Sequence, residues 1–144
     1  MRNSRTKLAV ISISTVLFSS AAMAASLDLN ITNLRNDKGV VRCGLFNSRQ
    51  SFGKPGQQVA TDNATIQGGG AKCHFDNVAP GTYAVAVFHA ENNENTLSYG
   101  LFGKPKEGVG FSNNPSITFG APSFDDAAFQ MGTQNKSMQI RIQY

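Results

Sequence analysis

The sequence predicts an all-β fold, a Greek-key β-sandwich of about seven strands. Apolar and polar residues alternate with a period of two in several short segments, and Gly, Pro, Asn or Asp residues bound most of these segments. Helical patterns are too few to cover a parallel sheet, which needs cover on both faces. A closed barrel is the alternative architecture.

The first half of the chain contains four predicted strands. Residues 26–34 (SLDLNITNL) place their apolar side chains on one face, as in a half-buried strand. Residues 40–46 (VVRCGLF) follow the turn sequence RNDKG, so these two segments are expected to form a hairpin. After a polar loop at 47–58, a weaker strand is predicted at 59–67, and another at 71–78 (AKCHFDNV) after three glycines.

The strand pattern is strongest at residues 82–89 (TYAVAVFH). Both of its faces are largely apolar, which predicts a central strand. Residues 90–115 are long and irregular, and loops of that length are uncommon unless they are functional or mobile. Residues 116–120 (SITFG) are expected to form a short strand.

One short helix is predicted near residues 123–131. Ser123 can cap its N-terminus, Asp126 completes a capping-box pattern three residues later, and Gly132 can end the helix. The last strand is expected at 137–144 (SMQIRIQY), where apolar and polar residues alternate again.

Residues 1–24 have the three parts of a secretory signal peptide. Basic residues open the chain, an apolar run covers 8–18, and Ala22 and Ala24 form an A-x-A cleavage pattern. The run is shorter than the roughly 20 residues of a membrane-spanning helix, and no later segment is expected to span a membrane. Cleavage after Ala24 leaves 25–144 as a single β-sandwich domain, secreted to the periplasm if the source is bacterial.

The charge argues against a nucleic-acid partner. The whole chain has 13 Lys and Arg against 9 Asp and Glu, a net charge of +4. Arg2, Arg5 and Lys7 lie in the leader, so ten basic residues face nine acidic ones in the exported chain, a net charge of +1. A nucleic-acid-binding domain needs a basic patch on its folded surface.

Cys43 and Cys73 are the only cysteines, and each lies in a predicted strand. In an oxidising compartment an even pair indicates a disulfide. The chain-entropy model gives such a bridge roughly 3–4 kcal/mol of stabilisation. Two reduced, buried thiols are the alternative.

Residues 89–98 (HAENNENTLS) are rich in side-chain oxygens. A calcium loop of the EF-hand type needs oxygen ligands at alternate positions, beginning with a carboxylate. Asn92, Glu94 and Ser98 offer oxygens, but Ala90 stands at the first position. A solvated polar loop is therefore favoured over a calcium site, and no other cofactor is expected.

His89 with Glu91 or Glu94 is the candidate set for a hydrolase or a metal-dependent enzyme. A general base must lie within about 3 Å of its partner. No Ser or Cys stands in a nucleophile motif, and His89 with His74 gives only a weak zinc signal. A structural role is favoured, in which His89 forms hydrogen bonds at the base of the long loop and orders it.

The long loop also holds the candidate contact surface. Phe102 and Phe111 are large apolar groups that could anchor a ligand, while Lys104 and Glu107 are expected at an exposed rim. In the alternative interpretation, both rings pack under the loop and pin it to the sandwich.

Three ordered segments, at 78–93 (VAPGTYAVAVFHAENN), 101–114 (LFGKPKEGVGFSNN) and 119–129 (FGAPSFDDAAF), resemble the bacterial domain of unknown function 2141 family. The resemblance covers residues 27–144. It implies an immunoglobulin-like or prealbumin-like sandwich, export and no established activity. The strand PGTYAVAVFH is also similar to transthyretin-like and carboxypeptidase-regulatory-like modules.

The family pattern after the histidine is His-Asp-x-Asn-x-Asn with a closing Asp. His89 and Asn92 match it, whereas Ala90, Glu94 and Ser98 replace the first Asp, the second Asn and the closing Asp. If relatives bind calcium at these positions, this chain lacks key ligands.

The sequence therefore predicts a small exported module that binds or supports something in the cell envelope without catalysis. Its contact surface is expected on the long loop and the SFDDAAF turn, with an unidentified protein or envelope ligand as partner. The residues expected to bind share a polar or aromatic side chain in this region: His89, Glu91, Asn92, Glu94, Phe102, Lys104, Glu107 and Phe111.

Overall fold

The computed structural model describes residues 9–19, 24–100 and 104–144. Within these ranges the chain is mostly β, as predicted, with eight strands and a single helical turn. In chain order the elements are β1 (Ala25–Thr32), β2 (Val40–Phe46), β3 (Ala60–Thr65), β4 (Ala71–Val78), β5 (Gly81–Ala90), β6 (Val109–Phe111), α1 (Phe124–Ala127), β7 (Phe129–Met131) and β8 (Lys136–Arg141).

The strands form two sheets. The smaller sheet has the order β4-β1-β8, with β4 antiparallel and β8 parallel to β1. The larger sheet has the order β3-β2-β5-β6, and β7 pairs with the first residues of β5. This arrangement fits a Greek-key sandwich, and β5 is central, as its two apolar faces predict.

The main core lies between the two sheets. Leu27 and Leu29 of β1 face Val85 and Val87 of β5 across it, and all four side chains are almost completely buried. Burying a side chain of this size contributes roughly 1.5–3 kcal/mol.

The predicted disulfide between Cys43 and Cys73 forms. Cys43 lies on β2 in the larger sheet and Cys73 on β4 in the smaller one, so the bridge joins the two sheets through the core.

The prediction that β1 and β2 form a hairpin is wrong. β1 and β2 lie in different sheets, and the chain between them crosses from one layer to the other. Leu34 is buried in this crossing, and its backbone N–H donates to the carbonyl of Gly69 at 3.1 Å. Period-two alternation places one apolar face inward in both arrangements, so it cannot distinguish a hairpin from a crossing.

The region after β5 differs from prediction in three places. The segment at 90–115 includes strand β6, and the segment at 116–120 forms a turn instead of a strand. Helix α1 ends at Ala127 and is followed directly by β7, so Gly132 does not end it. Pairing with β5 buries Phe129 and Met131 in the main core, which overrides local helical spacing.

The N-terminus of α1 forms as predicted. Ser123 has an extended backbone, and its hydroxyl accepts a hydrogen bond from the backbone N–H of Asp126. The Asp126 carboxylate in turn accepts the backbone N–H of Ser123 at 3.0 Å, which completes the capping box.

A second hydrophobic cluster covers the outer face of the larger sheet. Its centre is an aromatic group in which the ring of Phe52 meets those of Phe46, Phe111 and Phe124 edge-on, with centroids 5.5–6.1 Å apart. The polar loop that contains Phe52 is therefore anchored to the sheet, and so is the segment that follows β6.

Residues 9–19 lie outside both cores. Their large apolar side chains are 70–93% exposed and belong to neither helix nor strand. No helix in the described part of the chain is long and apolar enough to cross a membrane.

Candidate functional site

His89, near the end of β5, is completely buried, and both of its ring nitrogens are bonded. Nε2 lies 2.8 Å from the carbonyl oxygen of Lys38, which can only accept, so Nε2 carries the proton. Nδ1 lies 2.7 Å from the Tyr144 hydroxyl, which is within hydrogen-bond distance. Burial raises the pKa of Tyr144, so this hydroxyl keeps its proton at neutral pH. The two bonds hold the ring of His89 in one orientation between Lys38 and Tyr144.

Glu91 is held by Arg35 instead of orienting His89. Its carboxylate is 3.7 Å from Nδ1 of His89 but is directly bonded to Nε of Arg35. That hydrogen bond lowers the pKa of Glu91. The Arg35 guanidinium also stacks 4.6 Å from the ring centre of Tyr144, and the Arg35 backbone N–H donates to the Tyr144 hydroxyl. Each group is thereby fixed in one place.

This geometry does not meet the requirement for general-base catalysis. The nearest carboxylate is beyond 3 Å, and His89 has no surface on which a substrate could lie. The arrangement matches the structural interpretation of His89, which joins the crossing between β1 and β2 to the last residues of the chain.

The oxygen-rich loop after His89 is organised around Arg42. Nε of Arg42 donates to the carbonyl of Glu94 at 2.5 Å, and Nη2 donates to the carbonyl of Asn93 at 3.2 Å and to Oδ1 of Asn95 at 3.1 Å. A guanidinium therefore occupies the point where the loop oxygens converge. The Glu94 carboxylate turns away and accepts both the backbone and side-chain N–H groups of Asn92, which lower the pKa of Glu94.

Glu107 was expected to be exposed, and that prediction is wrong. It is only 8% exposed, and its carboxylate accepts the backbone N–H of Ser98 at 3.0 Å and the Ser98 hydroxyl at 2.5 Å. These bonds replace hydration of the buried carboxylate and join the two ends of the segment between Ser98 and Glu107. Lys104 is exposed as expected, whereas Phe102 lies outside the described residues.

Phe111 is an anchor of the long segment. It lies on β6, is only 9% exposed and packs in the second hydrophobic cluster against Phe52. At Phe111 this packing joins the long segment to the outer face of the larger sheet, while the same interpretation for Phe102 stays a prediction.

Gly108 and Gly110 form a close seam between the sheets. A Cβ atom on Gly108 would lie 2.4 Å from the ring of Tyr144 and 2.5 Å from Ile142, and one on Gly110 would lie 2.7 Å from Ile140. These distances are far inside normal van der Waals contact. The two glycines therefore allow β6 to approach β8, where Val109 and Gln143 exchange two backbone hydrogen bonds of 2.8 Å.

The next two residues join further elements through side-chain hydrogen bonds. Ser112 is completely buried, accepts the backbone N–H of Val85 at 2.9 Å and donates to the carbonyl of Ala127. The Asn113 side chain donates to the carbonyl of Ala128 at 2.8 Å. Residues 108–113 (GVGFSN) thus connect β5, β6, β8 and α1.

A polar cluster around His74 was not predicted. On the outer face of the smaller sheet, Nδ1 of His74 is 2.6 Å from Asp28 and Nε2 is 2.8 Å from Asp76, at the edge of a shallow depression of about 390 Å³. Hydrogen bonds to these carboxylates raise the pKa of His74, and the bond to Asp28 has the larger effect. The sequence shows that His74 and Asp76 share a face of β4, but only the register with β1 brings Asp28 opposite.

In the described ranges, no group of three or more His, Cys, Asp or Glu side chains is arranged to hold a metal ion. Around His74 the two carboxylates contact opposite ring nitrogens, so their oxygens do not converge on one point.

The comparisons with known proteins give one match. A family model described as an uncharacterized protein conserved in bacteria, domain of unknown function 2141, matches residues 29–139. No curated protein and no solved structure matches the chain.

Proposed function

We propose, from the premise that this chain belongs to the domain of unknown function 2141 family, that it is an exported, non-enzymatic binding or structural module of the bacterial cell envelope. The main support is that polar groups of the candidate site form hydrogen bonds inside the protein. His89, at the end of β5, and the carboxylates of Glu91 and Glu107, in the long segment, are each held by hydrogen bonds to other groups of the protein. Their bonds stabilise the fold and leave the surface of the segment for contact.

Three features support export. The apolar side chains of residues 9–19 extend into solvent and pack on neither core, as expected for a leader that is not part of the folded domain. Among the described residues, Ala25 is the first that is buried, and it lies directly after the proposed cleavage point. A disulfide through the core also suits an oxidising compartment.

The proposed contact surface is the exposed part of the segment after β5. Ser98 and Lys106 are joined by a backbone hydrogen bond of 3.0 Å, and Gly100 and Lys104 by one of 2.8 Å, so the two arms run side by side. Tyr99 is 59% exposed there, and the lysines at 104 and 106 are exposed beside it. An aromatic ring next to cations suits a partner with both apolar and anionic groups.

Export is tested by expressing the full chain in bacteria, separating periplasm from cytoplasm and sequencing the N-terminus of the recovered protein. We expect a periplasmic chain that begins at Ala25. Replacing Ala24 with Leu should leave the leader attached, because the cleavage site requires a small residue. Recovery of the uncleaved wild-type chain from the cytoplasm would contradict the proposal.

The contact surface is tested by cross-linking capture from an envelope extract. A Tyr99→Ala, Lys104→Ala double variant should lose a partner that the wild type captures. The matched control is Lys54→Ala, which removes an exposed lysine from the loop between β2 and β3. Equal capture by all three proteins would show that the segment is not the contact surface.

A further inference from the structure

Strand β8 lies at an edge of the smaller sheet, and in the described part of the chain no strand lies beside its outer side along most of its length. Ile142 donates its backbone N–H towards β1, to the carbonyl of Thr32. Because backbone direction alternates along a strand, Ser137, Gln139 and Arg141 direct their N–H and C=O groups to the other side. An edge of this kind is a template on which another chain can add a strand.

The side chain of Asn114 occupies the centre of this edge. Its Oδ1 accepts the backbone N–H of Arg141 at 2.8 Å, and its Nδ2 donates to the carbonyl of Gln139 at 3.0 Å. One carboxamide thus supplies the donor and the acceptor that a neighbouring strand would supply. Asn114 has a φ of 49°, and its backbone N–H bonds to the carbonyl of Phe111, so the turn after β6 aims this side chain at β8.

At the opposite edge of the same sheet, a side chain also bonds to the backbone of the edge strand, β4. The carboxylate of Asp62, on β3, accepts the backbone N–H of His74 at 2.8 Å on the side of β4 that faces away from β1. Both edges of the smaller sheet therefore have backbone groups bonded by a side chain from outside the sheet. Native sheets protect open edges by such means.

We infer that Asn114 guards β8 against pairing with β8 of a second copy of this chain. Two antiparallel β8 strands centred on Gln139 would set Ser137 opposite Arg141 and Met138 opposite Ile140, so no two cations would face each other. That ladder uses the N–H of Arg141 and the C=O of Gln139, the two groups that Asn114 holds. A depression of about 460 Å³ beside Asn114 and Arg141 leaves space next to the edge.

The test is the association state of purified wild type and variants, measured by sedimentation over a range of concentrations. The wild type should be monomeric. Asn114→Ala removes both competing hydrogen bonds, and its association constant should be about tenfold higher or more. The matched control, Asn113→Ala, removes bonds to the end of α1 and should stay monomeric with a lower melting temperature.

A second substitution separates edge pairing from general misfolding. Ser137→Pro removes an outward N–H without removing a donor to β1, so the double variant with Asn114→Ala should be monomeric again. If Asn114→Ala does not fold, Asn114→Asp is the substitute. It keeps the acceptor for Arg141 but loses the donor to Gln139, so it should associate more than the wild type, by less than the roughly tenfold expected for Asn114→Ala. Monomeric Asn114 variants at every concentration, or association that Ser137→Pro does not reverse, would overturn the inference.

Discussion

Replacing Gly110 with Ala should destabilise the protein. A methyl group on Gly110 would lie 2.7 Å from Cγ2 of Ile140, 3.0 Å from the carbonyl oxygen of Arg141 and 3.2 Å from Cδ1 of Ile142. Ile140 and Ile142 are completely buried, and the carbonyl belongs to a strand, so these neighbours have little room to move.

The size of the effect follows from this overlap. Favourable carbon contacts lie near 3.5–4.0 Å, so β6 and β8 must separate or Ile140 must leave its rotamer. Overpacking of this kind costs about 1–3 kcal/mol. A glycine that served only as a flexible loop residue would give the opposite sign, because Gly→Ala then stabilises by about 0.4–1 kcal/mol through the unfolded state.

The assay is urea unfolding followed by circular dichroism, with the free energy of unfolding taken by linear extrapolation. Gly132→Ala is the matched control, since a Cβ there meets no atom within 4 Å and its φ is not positive. We expect a loss for Gly110→Ala and no loss for Gly132→Ala. If Gly110→Ala is as stable as the wild type, the close seam between β6 and β8 is wrong.

Three further predictions concern other contacts. Reducing the inter-sheet disulfide should lower the free energy of unfolding by roughly 3–4 kcal/mol, seen as a lower urea midpoint with reductant; an unchanged midpoint would contradict a bridge that stabilises the fold. The pKa of His74 is raised by its two aspartate partners, so their stabilisation is complete below about pH 6.5 and fades as the pH rises through the folded-state pKa. The stability difference between wild type and His74→Gln should therefore be larger at pH 5 than at pH 9, and a constant difference would refute the assignment. Arg42→Met keeps the apolar stem but removes the guanidinium, so amide hydrogen exchange at residues 91–96 should accelerate, with β1 as the internal reference; unchanged exchange would show that the loop does not need Arg42.

Local sequence determined the features that depend on near neighbours. Alternation located the inner faces of β1 and β8, because side chains in a strand alternate sides whatever the partner. The capping box was readable because its two reciprocal hydrogen bonds join Ser123 and Asp126, which lie only three residues apart. The disulfide was predictable from the pairing rule, since Cys43 and Cys73 are the only cysteines in the sequence.

Only the tertiary structure decided which strands are neighbours and what each polar group does. His89 meets Lys38 and Tyr144 from 51 and 55 residues away, and Asp28 meets His74 across 46. Alternation fixes the face of a residue but not the strand beside it, so the crossing after β1 was taken for a hairpin. In the same way, only the structure shows why residue 110 is glycine, because the need for a missing Cβ arises from the strand that packs against it.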